Sequence, residues 1–334
     1  MKRYGNLYQK MFTEDSLFEA YKRARKGKRK KKAVLDFERN LGANIKTLSE
    51  SLRDGTYEIR PYKEFTIFEP KMRTIYAPAF QDVVVQHEIY SEIYPIFNAS
   101  FIDQSFACRV GYGTHKAARH AYKCMIATQG LYYLKMDIRK FFYRIDREVL
   151  SGMFTKKIKD EKLVELMNLF AVYPGDVGIP IGNLLSQLYA LIYLNPLDHF
   201  IKRTLKAEYY VRYADDFVIF GYSRDFCVEM FETIQEFLRD ELKLELSKWS
   251  IEKVDNGVNF SGYRMWPGKK LIRRRSISNF NKAFLRNKYE SLVSIMGHSQ
   301  HTLSLLYFLR RLRYEKPKLL NKMPQRYLKF ALGV

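Results

Sequence analysis

The stretch "EYYVRYADDFVIFGY", Glu208 to Tyr222, decides how the chain is read. Asp215 and Asp216 sit side by side in an otherwise apolar and aromatic run. Adjacent like charges repel, and strands select against Asp. Asp tolerates tight-turn conformations, so a bare turn is one explanation. The other is a place where negative charge is wanted because something doubly positive binds. The flanking residues read as strand, turn and strand, with Ala214 to Asp216 at the bend.

A second acidic position lies upstream. "LYYLKMDIRKFFYRID" begins as a buried strand ending at Asp137. Antiparallel strands of one sheet would bring Asp137 to the Asp215–Asp216 bend. Three carboxylates drawn together repel unless divalent cations occupy the gap. Mg²⁺ prefers oxygen ligands and is typically held by one or two carboxylates plus substrate phosphates. Two such ions can stabilise both the attacking and the leaving oxygen of a phosphoryl displacement.

The rest of the composition suits that chemistry. The chain has 334 residues and a formal net charge of +22, an imbalance that favours a polyanionic partner. A basic chain with an acidic two-metal centre describes a polymerase or a nuclease. Cys108, Cys124 and Cys227 are widely spaced, which argues against a zinc site or a disulfide framework. No signal-peptide core and no long apolar run is visible, so the expectation is a soluble cytoplasmic protein without membrane contact.

Along the chain, residues 7–57 read as helical. Within them "KRARKGKRKKK", Lys22 to Lys32, has nine basic residues in eleven. Charges this dense repel unless counterions or phosphates relieve them. Lys22, Arg23, Arg25, Lys28 and Arg29 are therefore expected to meet a nucleic-acid backbone, a solvated helix end being the plainer alternative. "YKEFTIFEPKMRTIYAP" reads as a hairpin turning near Pro70 and Lys71, and "VVVQHEIYSEIYPIF" as a helix. "NLLSQLYALIYLNPLDHFIKRTL" reads as one long helix, apolar most of the way round, and "DFCVEMFETIQEFLRDEL" as an amphipathic one. "GVNFSGYRMWPGKKLIRRR" looks like a second hairpin, and from Ser276 onward the pattern is helical and basic through Lys329. His298 and His301 are spaced to share a helix face, but no third metal ligand lies nearby in sequence. Strands and helices mix without βαβ alternation, so the expected class is α+β.

The motifs resemble those of reverse transcriptases. "YADD" between apolar strands resembles that family's metal-binding hairpin, and "KMDIRKFF" its first metal motif. "GIPIGNLLSQLYALIYLNPLD" resembles the segment lying along template and incoming nucleotide, "EPKMRTIYAP" the fingers hairpin, and "NFSGYRMW" the primer grip. "QSFACRVGYGTHKA" resembles a fingers motif of bacterial members. Within the family, "IGN.LSQ", "FACR…GTHKA" and "F.GYR.WP" are similar to the reverse transcriptases of diversity-generating retroelements. Antiphage-defence reverse transcriptases share much of this core. Leu185 and Val83 stand where the retroelement group commonly has Thr and Arg.

The resemblance implies a right-hand polymerase fold: a basic helical extension over 1–60, fingers over 61–130, palm over 131–265 with part of the fingers inserted at about 150–190, and a helical thumb over 266–334. It implies RNA-templated DNA synthesis with two Mg²⁺ ions held by Asp137, Asp215, Asp216 and the backbone carbonyl of Ile138. Lys71 and Arg73, facing one way on a strand, would hold the dNTP triphosphate. Phe142 would exclude a ribose 2′-hydroxyl. Gly182 would let the backbone approach the nucleotide, and Gln187, one helical turn beyond Asn183, would reach nucleotide or template edges. Pro180, Ile181, Asn183, Tyr213, Gly262 and Tyr263 would meet template or primer. Arg273, Arg274 and Arg275 would line the duplex. Implied partners are an RNA template, a DNA or RNA primer, dNTPs and a small basic helical accessory protein, in a bacterial or phage-encoded system. A catalytically silent RNA-binding scaffold is the reading from another class, and the intact acidic and basic set argues against it.

Overall fold

The computed structural model describes residues 2–68, 71–325 and 327. The first helices are α1 (Glu14–Arg25), α2 (Lys32–Glu38) and α3 (Leu41–Asp54), followed by strands β1 (Lys63–Ile67) and β2 (Arg73–Ala77). Next come α4 (Phe80–Asn98), α5 (Thr114–Ala127), β3 (Tyr132–Ile138), α6 (Phe141–Arg144), α7 (Arg147–Thr155), α8 (Glu161–Leu169) and α9 (Leu184–His199). The hairpin β4 (Tyr209–Tyr213) and β5 (Asp216–Tyr222) leads into α10 (Arg224–Leu242) and β6 (Leu246–Lys253). Strands β7 (Val258–Phe260), β8 (Tyr263–Trp266) and β9 (Lys269–Ile272) precede α11 (Arg274–Leu285), α12 (Tyr289–Ser299), α13 (Ser304–Glu315) and α14 (Pro317–Leu320). The described ladders are antiparallel, and the class is α+β as expected.

The chain divides into two discontinuous units: Met1–Asp103 with Ile138–Lys206 and Thr233–Lys248, and Gln104–Asp137 with Ala207–Glu232 and Trp249–Val334. The predicted palm segment is thus shared between them. In the first unit, α1 and α9 both pack on α4. Helix α9 buries Leu185, Leu188, Leu191, Tyr193, Leu194 and Leu197, which is why its sequence shows no polar stripe. In the second unit the sheet runs β4-β5-β3-β6. Its core joins Val211, Val218 and Phe220 of the hairpin to Ala117 and Ala121 of α5, Tyr263 and Met265 of β8, and Phe280 and Phe308 of the C-terminal helices.

Several expectations change. Residues 7–57 are helical as read, and they form three helices because the basic run breaks after α1. Lys26 leaves helical geometry and Gly27 takes φ +73, a left-handed conformation that glycine adopts most readily. The long helix at 183–205 ends in a π-helical turn at Phe200–Thr204. The second hairpin is a three-stranded sheet, β7-β8-β9, with Gly268 at φ +80 in its extra turn. The last helical segment begins at Arg274 rather than Ser276. Pro70 and Lys329 lie outside the described residues. No described helix is long and apolar enough to cross a membrane.

Candidate active site

The acidic hairpin belongs to the second unit. Register places Asp216 opposite Tyr213 on one side and opposite Asp137 on the other. Asp216 therefore starts β5 rather than sitting in the bend, which is Ala214 and Asp215 alone. Ala214 takes φ +56, tolerable for a small side chain. Arg212 holds that bend. It is 1% exposed, its Nη1 donates to the Ala214 carbonyl (3.0 Å) and its Nη2 to Ser105 Oγ (2.9 Å).

The segment around Ser105 adds a backbone clamp. The Arg212 amide donates to Gln104 O (2.9 Å), and the Phe106 amide to Arg212 O (3.0 Å). Arg109, stacked at 4.0 Å over Tyr112, ties the segment to itself through Ser105 O (2.9 Å). "QSFACR", expected among the fingers, thus supports the acidic hairpin. Neither this role nor that of Arg212 was visible in the sequence: an Arg within an alternating strand looks like a solvent-facing residue, and its partner lies 107 positions away. Arg212→Met should remove a fork of donors from buried acceptors, costing about 3 kcal/mol of stability. Its kcat should fall about 10-fold or more while KM for dNTP changes little, and Arg212→Lys should not restore it because an ammonium lacks the planar fork. Denaturation curves and steady-state kinetics check both.

Asp216 carries the strongest electrostatic signal. Burial lifts its pKa; the Lys135 ammonium and, farther off, Arg273 oppose this, while Asp137 adds to the rise. Lys135 is ion-paired to Asp216 Oδ1. Asp137, Asp215 and Asp216 are hard oxygen donors of the type Mg²⁺ takes. Among the described residues, however, no three His, Cys, Asp or Glu side chains close into a metal-holding group. The structure brings two of the three carboxylate positions face to face, leaving further oxygens to substrate. Such sharing is ordinary for Mg²⁺. Ile138 closes β3 and is buried.

Primer-side positions fall in the same unit. Tyr213 is half-buried. Gly262 takes φ +90, and a Cβ there would lie 2.8 Å from His298 Nε2. Tyr263, expected at the primer, is instead 1% exposed and stacked on His298 at 4.5 Å, so its side chain packs inward. Arg273 caps α11, and Arg274 and Arg275 open it. No acid stands in that first turn, leaving the helix N-terminus fully cationic.

The nucleotide-side positions form a second constellation within the first unit. Residues 178–182 run between α6 and β2. The Gly178 amide donates to Ile145 O (2.8 Å), the Ile179 amide to Phe142 O (2.8 Å), and the Tyr76 amide to Ile181 O (2.8 Å). Phe142, Ile181 and the Arg73 strand are thereby fixed to one framework. Gly182, at φ +128, has no room for a side chain: a Cβ would sit 2.7 Å from the Tyr76 carbonyl. Gly182→Ala should cost about 2–3 kcal/mol and displace this segment, measured as a lowered midpoint in chemical denaturation with a raised KM for dNTP.

Some details differ from expectation. Arg73 starts β2 and is exposed, but Lys71 lies in a bend before the strand, so the two do not share a strand face. Pro180 is buried. Asn183 is 1% exposed and donates from Nδ2 to Tyr62 Oη (2.8 Å), while Gln187 is exposed, so the two face different surroundings. Asn183 makes no capping bond either; Gln86 Oε1 accepts from the Leu184 amide (2.9 Å) in its place. In the basic run, Arg23 pairs with Glu88 (3.0 Å), Arg25 with Glu38 (2.9 Å) and Lys22 with Glu19 (2.6 Å). These three are therefore tied within the protein, whereas the turn from Lys26 to Lys31 carries the open charge. Lys28 there has its pKa pulled down, by burial first and then by Lys31; Arg29 is exposed beside it.

Residues 63–265 match the family described as "Reverse transcriptase (RNA-dependent DNA polymerase)". The chain is similar to the group II intron-encoded protein LtrA of Lactococcus lactis subsp. cremoris, 25% identical over 327 residues, covering 75% of this chain and 54% of that protein. It is also similar to protein YkfC of Escherichia coli (strain K12), 25% identical over 314 residues, covering 77% of this chain and 80% of that protein. The chain thus spans about half the length of the LtrA relative. Among solved structures, telomerase from Candida tropicalis in complex with a TWJ fragment of telomeric RNA superposes with a TM-score of 0.53 at 12% identity, covering 86% of this chain and 60% of that one. That likeness carries the fold, which is of the right-hand polymerase type.

Proposed function

Because the chain belongs to the reverse transcriptase family, we propose that it synthesises DNA on an RNA template from dNTPs and a primer 3′-hydroxyl. The observation that carries this is the register of Asp137 against Asp216 beside the Arg212-held bend. Asp137, Asp215 and Asp216 would hold the divalent ions, with the Ile138 carbonyl as a further oxygen. Mg²⁺ bound there would neutralise charge on the attacking and leaving oxygens. The chain's own contribution is positioning. Arg73 offers a planar fork to the triphosphate and Lys71 a mobile point charge. The ring of Phe142 would lie under the sugar, Gly182 would admit the nucleotide to backbone contact, and Gln187 would reach its edge. The open turn at Lys28 and Arg29 and the arginines Arg273 to Arg275 would follow the nucleic-acid backbone. The fingers, palm and thumb boundaries given by the motifs belong to the same proposal.

Within the family we assign the chain to the diversity-generating retroelement type, on "FACR…GTHKA", "IGN.LSQ" and "F.GYR.WP". It would copy a template-repeat RNA with errors opposite adenine, together with a small basic helical accessory protein, in a bacterial or phage-encoded system. Arg73 and Ile181, joined through β2, would bear on those errors. The antiphage-defence role is the competing subtype. The test is primer extension on a heteropolymeric RNA with Mg²⁺ and four dNTPs, followed by sequencing of the product. Substitutions concentrated opposite adenine, and an altered error spectrum in Arg73→Ala, are expected. Accurate, repetitive or template-free product would move the assignment to the defence type. No synthesis, even with accessory protein and structured RNA supplied, would leave a silent scaffold.

A further inference from the structure

The two histidines set aside in the sequence acquire partners in the structure. His115, at the start of α5, meets the His301 ring edge-on at 5.1 Å and lies 6.0 Å from the His298 ring. Tyr263 Oη sits among them. It donates to His298 O (2.9 Å), and lies 2.7 Å from His115 Nδ1 and 3.3 Å from His298 Nδ1. Tyr263 and His115 thus share a short hydrogen bond at Nδ1, which leaves His115 Nε2 for a further partner.

The charges around this group share one sign. Lys270 of β9 lies against the Tyr122 and Tyr263 rings, and Arg119 stands one helical turn beyond His115 on α5. Arg273 acts on His298. His115, His298, His301 and Lys270 all have their pKa values pulled down, by burial first, with cationic neighbours adding to the fall. No carboxylate contributes at any of the four. Among the described residues neither Arg119 nor Lys270 has an acidic partner. Arg119 and His301 are exposed, so the cluster has an open rim. The three histidines do not form a metal-holding group.

Two cations, Arg119 and the partly buried Lys270, without a counter-charge and beside three titratable imidazoles, are completed by an anion. We propose that Arg119, Lys270, His301 and His115 form a proton-linked phosphate site that grips the sugar-phosphate backbone of the bound nucleic acid. This rests on the reading that the chain binds a template–primer. The linkage has a definite sign. Without ligand the histidines titrate below their ordinary value, about 6.5. A phosphate beside them raises those values. Between the free and bound values binding takes up protons, so affinity rises as pH falls from neutral.

The test uses the full-length chain and a labelled RNA–DNA hybrid, with fluorescence anisotropy at pH 7.5 and 6.0 over a range of salt. The unaltered protein should bind roughly 3- to 10-fold more tightly at pH 6.0. His301→Gln, an exposed position, should flatten that dependence. Arg119→Ala with Lys270→Ala should weaken binding about 10-fold or more and reduce the salt slope by roughly 1–2. Unchanged pH dependence in the first variant together with an unchanged salt slope in the second overturns the site. Histidine ring NMR separates the sources of phosphate. Shifts with the hybrid support the proposal, whereas shifts with inorganic phosphate or pyrophosphate but not the hybrid overturn backbone recognition. Failure of the underlying reading looks different: the unaltered protein would bind no hybrid at either pH, and this proposal would fall with it.

Discussion

Asp137→Asn should lower nucleotide addition by at least about 10³-fold, roughly 4 kcal/mol of transition-state stabilisation, without unfolding the protein. The size follows from what the position supplies. Phosphoryl transfer leaves little covalent work for a protein, so losing one anchor of the positive charge at the reacting oxygens removes much of the catalysis. The stability side has the opposite sign. Asp137 stands opposite Asp216, whose pKa is already lifted by burial and by Asp137 itself. An Asn of nearly the same shape removes that repulsion and keeps the strand pairing. The melting temperature of the variant should therefore match or exceed that of the parent, as at sites where function is held against stability. Mg²⁺ should raise the melting temperature of the parent and do so much less in Asp137→Asn, since a ligand stabilises only the state that binds it. Calorimetry with and without Mg²⁺, beside single-turnover extension, measures both halves. Unimpaired extension by Asp137→Asn would remove this carboxylate from the reaction.

Residues whose meaning is local could be read without coordinates. The alternation on either side of Asp215 predicted β4 and β5 and located the bend to within one residue. The strand expected to end at Asp137 ends one residue later, at Ile138, and antiparallel pairing sets Asp137 against Asp216. What stayed hidden was non-local. The Gln104–Ser105 clamp on Arg212 spans more than a hundred positions, and period-two patterning cannot tell a buried guanidinium from a solvated one. Arg23 and Arg25 looked like part of one open basic run because Glu88 and Glu38 lie outside it in sequence. His298 and His301 looked unaccompanied because His115 lies on α5. Asn183 sat at an obvious capping position, yet Gln86 from another helix took the cap. Hydrophobic period reports which face is covered; it does not report what covers it.

The pair Phe141 and Phe142 turns that limit into an experiment. In sequence they are two equivalent rings after the first acidic motif. In the structure they part: Phe141 is 2% exposed and packs on Tyr193, whereas Phe142 is half-buried and meets Phe141 edge-on at 5.6 Å. The Phe142 carbonyl accepts from the Ile179 amide, so its backbone is fixed to the segment that carries Ile181 and Gly182. A half-buried ring held this way can act as a wall under a sugar. Phe142→Ala is expected to lower discrimination against rNTPs by about 10²-fold, chiefly by lowering KM for rNTP, because the wall excludes a 2′-hydroxyl by volume rather than by a lost bond. Its stability cost should be near 1 kcal/mol, below the ~3–5 kcal/mol of a fully buried Phe→Ala change. Phe142→Val, which keeps a branched Cβ, should fall between. Phe141→Leu serves as the contrast: it should lower the denaturation midpoint and leave the rNTP/dNTP ratio where it was. Competition assays with paired rNTP and dNTP give the ratios directly. Equal ratios in Phe142→Ala and the parent would reduce Phe142 to a packing residue, and the wall would have to be sought elsewhere on the 178–182 framework.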